Sequence, residues 1–278
     1  MTRSTPLPIK MIIYLFLIAG AIVMFFPFVW MVSTSLKTTG ALAAMPPQII
    51  PDPVDFGNFT EVWNKVNFER YTLNSFIIVF FDMIGALLSC AVVAFGLAMF
   101  EFKGRSLIFI TMLATLMIPG QVTMIPTYFI WKQFGMLNTY YPLIIPSFLA
   151  GAFGIFLLHQ YIKSLPKELY ESAVIDGCSP PGIFVRIYLP LCKPALAALG
   201  VFTFMGAWNN TLGPLIYLQT KDLYTLPLGM LYLKNQTGSV SQAVIMAGAV
   251  ITTLPVVAVY LVAQKQFVQG IASTGMKG

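Results

Sequence analysis

Two short runs, Glu171-Ser172-Ala173-Val174-Ile175-Asp176-Gly177 and Ile187-Tyr188-Leu189-Pro190, stand nine residues apart between long apolar stretches. Their chemistry is noncovalent. Glu171 offers directional, charge-assisted contacts to a partner. Ala173 lets two backbones approach closely, and Gly177 permits a bend that other residues resist. A second set is polar where its surroundings are apolar: Asp82 in one apolar run, and Trp208-Asn209-Asn210 in another. An acid inside a membrane span is a functional-site candidate by default. Asp82 could line a path, pair with another helix, be protonated, or relay protons in a secondary carrier, although no lysine or histidine stands near it in sequence. Amides donate and accept hydrogen bonds, which suits a solute rich in hydroxyls, and an indole can stack on a ring. Helix–helix hydrogen bonding or an aromatic belt would use the same three residues.

The elements that position these residues follow from composition. The 278-residue chain is 58% hydrophobic and 9% charged, against about 25% charged for soluble domains. It cannot cover its surface with polar groups, so lipid must be its solvent. A helical span needs roughly 20 apolar residues, and six are expected, near 11–33, 72–99, 106–131, 142–163, 194–218 and 243–264. The runs are continuous rather than alternating, which favours helices over a barrel. The fold class expected is therefore an all-α membrane protein of six transmembrane helices. The first span is too long for a signal-peptide core and is read as retained. No linker tract divides residues 1–278, which are read as a single membrane domain. With both termini on one side, that side holds ten of the 16 lysines and arginines, which places the termini in the cytoplasm. The net charge of +6 is spread over the loops, which argues against nucleic acid as a partner. Cys90, Cys178 and Cys192 lack metal-ligand spacing, so no metal site is expected. His159 and Gln160 fall where the fourth span meets the interface.

Between the fourth and fifth spans, residues 164–193 read as helix, turn, helix. Ser164 is placed to cap a helix with Pro166 just inside it. The helix passes through Glu171 and Ala173, and Gly177 ends it. Ser179-Pro180 starts a second helix expected to stop before Pro190, and the chain re-enters the membrane at Lys193-Pro194. Pro119-Gly120 and Pro126 are expected to kink the third span. On the other side, prolines 46, 47, 51 and 53 break regular structure, and Asn58 through Lys65 could lie as a short interfacial helix anchored by Phe59 and Trp63.

The spacing E-x-A-x-x-x-G, nine residues, I-x-L-P resembles the cytoplasmic coupling loop of bacterial ABC importer permeases. Arg70-Tyr71-Thr72-Leu73-Asn74-Ser75, Met117-Ile118-Pro119, Ile125-Pro126, Asp176-Gly177-Cys178-Ser179, Trp208-Asn209 and Gly275-Met276-Lys277-Gly278 extend the likeness over nearly the whole chain. It is similar to the carbohydrate-uptake, maltose-permease-like, binding-protein-dependent family. Ser172 stands where that family often has alanine. The resemblance implies a type I importer permease fold with a cytoplasmic coupling helix. It implies a second homologous permease, two copies of an ABC ATPase and an extracytoplasmic sugar-binding protein, with the whole in the bacterial inner membrane. It further implies that Glu171, Ser172, Ala173, Asp176, Gly177, Ile187, Leu189 and Pro190 dock in a cleft of the ATPase. The tail around Gly275 and Lys277 would touch the ATPase too, and the outer segment Gln219 to Gln242 would face the binding protein. Asp82, Trp208, Asn209 and Asn210 remain the substrate-path candidates. No Gly-Lys-Ser or Gly-Lys-Thr occurs, so the chain is expected to carry no cofactor, with ATP and magnesium held by the partner ATPase. The function expected is import of a sugar by ATP-driven alternating access, without catalysis by this chain. The alternatives are a self-contained secondary transporter or channel, or an ABC permease for another solute.

Overall fold

The computed structural model describes residues 6–65, 67–235 and 240–275, with side chains described as far as Gln264. Every regular element among the described residues is helical. Among the described residues, four helices are long and apolar enough to cross a membrane: Leu7–Ser35, Phe68–Met99, Tyr141–Ser164 and the Gln242–Gln264 part of the last helix. Two further pairs qualify only when each is taken as one broken span. Arg105–Thr115 and Gly120–Gln133 meet at 98°, and Pro180–Leu191 and Lys193–Trp208 at 75°. The chain is thus an all-α membrane protein with four to six spans.

The first break is sharper than a proline kink. Pro119 has no N–H to continue the helix and disfavours helical geometry at Ile118. It adopts extended backbone, and a new helix starts at Gly120. Pro126 lies inside that second helix, which runs on to Gln133.

The chain forms two compact units. The first comprises residues 1–68 and 230–254. Its leading helix is apolar on all faces and exposed except for its last turn, Ser33 to Ser35. Beyond it the chain is held by a residue the sequence did not single out. Asn58 is buried and donates to the carbonyls of Ser35 (3.0 Å), Lys37 (3.0 Å) and Asp55 (3.3 Å). The short helix Gly57–Lys65 buries Val62 and leaves Trp63 exposed, stacked on Phe68 at 5.3 Å. Lys37 is buried, with its ammonium 4.4 Å from the Trp30 ring centre.

The second unit comprises residues 69–229 and 255–278. Its core joins Cys90, Ala94 and Phe95 to Ile155, Leu158 and Ile162, and to Ile183, Tyr188, Ala195 and Leu199. Gly154 sits at a close approach within it. A side-chain carbon there would lie 2.6 Å from Cys90 Sγ and 3.2 Å from Leu199 Cδ1. Its hydrogen-only side chain is what lets three helices approach this closely, a habit of membrane helix interfaces.

Candidate functional site

Two places in the second unit gather the residues singled out by sequence. The first is a cleft of about 220 Å³. Ser75, Ile78 and Asp82 line it from the helix Phe68–Met99. Their spacing of three and four residues puts them on one helix face. Thr203 and Ala207 line it from the helix Lys193–Trp208 by the same rule, and Asn210 lines it from just beyond that helix's end. Thr225 closes it, and its hydroxyl oxygen is buried without a partner among the described residues. Three hydroxyls, an amide and a carboxylate therefore face one space among apolar helices.

Polar staples hold the rim. Asn74 donates from Nδ2 to the carbonyls of Asp222 and Tyr224, both at 2.9 Å. The Leu226 N–H donates to Ser75 Oγ at 2.8 Å. Arg70 Nε donates to the Asp222 carbonyl at 3.0 Å, and its guanidinium lies 3.7 Å from the Asp222 carboxylate. Asn138, with φ of +58°, accepts on Oδ1 from the N–H groups of Gln219 and Thr220 and donates to the Thr220 hydroxyl. These residues fix the loop 217–226 that brings Thr225 to the cleft. The Arg70–Ser75 run was noted for resemblance alone, and Asn138 was missed; an asparagine beside a glycine-bearing turn was its only sequence signal.

The substrate-path candidates separate. Asp82 and Asn210 line the cleft. Trp208 does not, being 1% exposed and packed against Phe204 (5.7 Å, stacked) and Phe76 (5.0 Å). On the helix Lys193–Trp208, 204 and 208 share one stripe while 203 and 207 share another. Asn209 is exposed and donates to the Met205 carbonyl at 2.9 Å, closing the helix at Trp208. The span expected to run to 218 therefore ends ten residues early, and a separate helix covers Leu212–Tyr217.

The second place is residues 164–193. Ser164 does not cap the next helix. It is the last residue of the preceding one, and its hydroxyl donates to the Tyr161 carbonyl at 2.7 Å. The helix Glu168–Ile175 instead starts after Lys167 without a side-chain cap, with Glu168 and Glu171 in its first turn, where the helix dipole favours acids. It ends as expected at Gly177, whose φ is +77°. The Cys178 N–H donates to the Ala173 carbonyl (2.9 Å) and the Gly177 N–H to the Val174 carbonyl (3.0 Å). Those two bonds form a Schellman motif, which needs a left-handed residue at this position. The second helical stretch does not stop before Pro190. Pro190 occupies the first turn of Leu189–Leu191, where its missing N–H is harmless, and the turn comes at Cys192.

One side of this segment faces inward. Ala173, Ile183 and Tyr188 are buried, and the rings of Phe184 and Tyr188 lie 5.1 and 5.2 Å from that of Phe95. Ile187 and Leu189 are half-buried. Ala173 thus makes its close approach within the chain rather than presenting itself to a partner. Glu171, Ser172, Asp176, Gly177 and Pro190 face outward. So do two apolar residues overlooked in the sequence, Val174 at 49% and Ile175 at 86% exposure. Gly275 ends the last helix, while Lys277 and Gln236 lie outside the described residues.

Residues 88–273 match the model of the family described as "Binding-protein-dependent transport system inner membrane component". The chain belongs to that family of ABC-transporter permeases. Among curated relatives, it is 33% identical to the arabinooligosaccharides transport system permease protein AraQ of Bacillus subtilis (strain 168), covering 95% of this chain and 94% of that one. It is 36% identical to the diacetylchitobiose uptake system permease protein NgcG of Streptomyces coelicolor (strain ATCC BAA-471 / A3(2) / M145), over 93% and 86%. Its fold matches a chain in the crystal structure of a bacterial ABC transporter importing the acidic polysaccharide alginate, with a TM-score of 0.82, 24% identity, and 95% and 99% coverage. A permease subunit of this kind is a transport component, not an enzyme. Membership of the family implies partners: a second permease, an ATPase and a solute-binding protein.

Proposed function

We propose that this chain is the permease subunit of a sugar importer, passing its solute by alternating access driven by a separate ATPase. The observation that carries the sugar reading is the cleft in which Ser75, Thr203, Thr225, Asn210 and Asp82 face one another. Hydroxyl, amide and carboxylate groups together both donate to and accept from sugar hydroxyls. The names of the relatives, arabinooligosaccharide and diacetylchitobiose permeases, support the same class of solute.

In this reading the two broken pairs each count as one span, giving six within a single permease domain of residues 1–278, with both termini in the cytoplasm of a bacterial inner membrane. The helix Glu168–Ile175 is the coupling helix. Glu171, Ser172, Asp176, Gly177 and Pro190 meet the ATPase, with Val174 and Ile175 as the apolar centre of that contact. Ala173, Ile187 and Leu189 support them from beneath, and Gly275 and Lys277 contact the ATPase from the tail. Two ATPase copies bind ATP and magnesium, and a homologous but different permease completes the pore. ATPase closure inside and binding-protein docking outside bias two states of the permease pair.

The test is uptake of labelled oligosaccharides into proteoliposomes holding the complex co-purified with this chain. ATP-dependent uptake insensitive to ionophores is expected. Uptake by the chain alone, driven by a proton gradient and abolished in Asp82→Asn, would instead establish a secondary carrier.

A further inference from the structure

A second cleft, of about 280 Å³, lies among three helices of the second unit. Leu97 comes from the end of Phe68–Met99, His159 from the middle of Ala152–Ser164, and Arg105, Ser106, Phe109 and Ile110 from the first half of Arg105–Thr115. None of these residues belongs to the solute cleft or the coupling segment.

Four observations converge on the kind of molecule it takes. The cleft is cationic at its mouth: Arg105 lines it, and Lys163 stands within electrostatic reach of Arg105 and Lys167, with Glu101 offsetting part of that charge. The 11-residue helix starting at Arg105 has no side-chain cap, and its first-turn N–H groups, beside the Ser106 hydroxyl, make a favourable site for an anion. His159 is only 9% exposed, lies against Phe109 with ring centres 4.4 Å apart and planes tilted by 37°, and keeps Nδ1 buried without a partner among the described residues. The residue lines the cleft, and a buried polar atom without a protein partner is an open hydrogen-bonding position beside it. Finally, the flanks are apolar and exposed: Leu107 at 69% and Ile110 at 62%. Phosphate, hydroxyl and hydrocarbon are thus requested side by side among these helices.

We propose that this cleft seats the headgroup of an anionic, hydroxyl-bearing phospholipid. Arg105 and the helix N-terminus hold its phosphate, Ser106 and His159 meet its headgroup hydroxyls, and its acyl chains lie along Leu107 and Ile110. Arg105 already donates through Nη1 to the Phe100 carbonyl at 3.2 Å, which steadies the loop while leaving the rest of the guanidinium for the lipid. Basic pockets between membrane helices bind anionic headgroups in this way.

The full-length chain, delipidated in a zwitterionic detergent, is titrated with phosphatidylglycerol, phosphatidylcholine or glycerol phosphate and read by native mass spectrometry. Phosphatidylglycerol should be retained at roughly fivefold lower concentration than phosphatidylcholine, the effect expected of one cation near a headgroup. Arg105→Gln should remove that advantage and Arg105→Lys restore most of it, whereas Lys132→Gln, outside the cleft, should leave it intact. His159→Leu should weaken retention of phosphatidylglycerol more than that of phosphatidic acid, which lacks the extra hydroxyls. Equal retention of the two headgroups, or an advantage that survives Arg105→Gln, would overturn the proposal. Competition by glycerol phosphate as strong as by the lipid would make this a soluble-phosphate site and overturn it equally.

Discussion

Asp82 brings the carboxyl group among the residues lining the cleft proposed for the solute, and the charge of a carboxylate has a direction. A carboxylate beside the path favours solutes with hydroxyls or a cationic amine and repels carboxylated or phosphorylated ones. Asp82→Asn should therefore keep uptake of a neutral oligosaccharide within about threefold, since an amide still accepts hydrogen bonds, while admitting acidic sugars better than the parent does. Competition between neutral and uronic-acid oligosaccharides in ATP-loaded proteoliposomes measures this. An unchanged preference would remove Asp82 from the selectivity argument. Gly177 makes the second case. Its φ of +77° costs a residue with Cβ about 1–2 kcal/mol, and proline there would also delete the N–H bonded to Val174. Gly177→Pro should insert normally, fail to co-purify the ATPase, and lose uptake. Both residues were legible in the sequence, because a glycine after a helical run and an acid inside an apolar run violate local expectation. Trp208 makes the converse case. Its residue type suggested stacking on a solute, but its side depends on helix phase, which puts it with Phe204 rather than with Asn210.

At the scale of elements, the apolar runs announced long helices, but among the described residues four of the six expected spans are single helices, and the fifth stops ten residues early at Trp208. The breaks were harder to see. Proline marks where a helix loses a hydrogen bond, yet the resulting angle depends on what the freed groups find nearby, so a kink near Pro119 was foreseeable and a 98° turn was not. Asn58 was invisible because its role lies in carbonyls 21 and 23 residues away. Asn58→Ala would leave those buried acceptors unpaired and should cost about 2 kcal/mol, seen as an earlier thermal transition in detergent with the ATPase-binding surface intact. The helix Glu168–Ile175, proposed above to couple to the ATPase, offers the complementary test. Ile175 is 86% exposed, so Ile175→Asp should change stability by less than about 0.5 kcal/mol. It should nonetheless sharply reduce ATPase co-purification. A wild-type yield of ATPase with that variant would move the docking face elsewhere.

For the molecule as a whole, composition decided the solvent and the family decided the company. With its leading helix exposed nearly throughout, the chain leaves to lipid and to other subunits the covering of apolar surface that a soluble protein completes internally. Neither the pairing partner nor the solute is written in single-chain periodicity, since both depend on surfaces that another chain completes. A different kind of consequence follows from Gly154. Its backbone is pressed so near Cys90 and Leu199 that a single methyl would collide, and interlocked surfaces of this sort resist sliding. Gly154→Val should lower thermal stability by about 1–3 kcal/mol. More telling is the kinematics: gears meshed this tightly do not slip, so Phe68–Met99, Ala152–Ser164 and Lys193–Trp208 must travel as one rigid wedge through the transport cycle. Spin-label distances among these three helices should hold constant between nucleotide-free and ATP-bound complexes while distances to the partner permease change, which makes the strokes of this machine hinged rather than sheared.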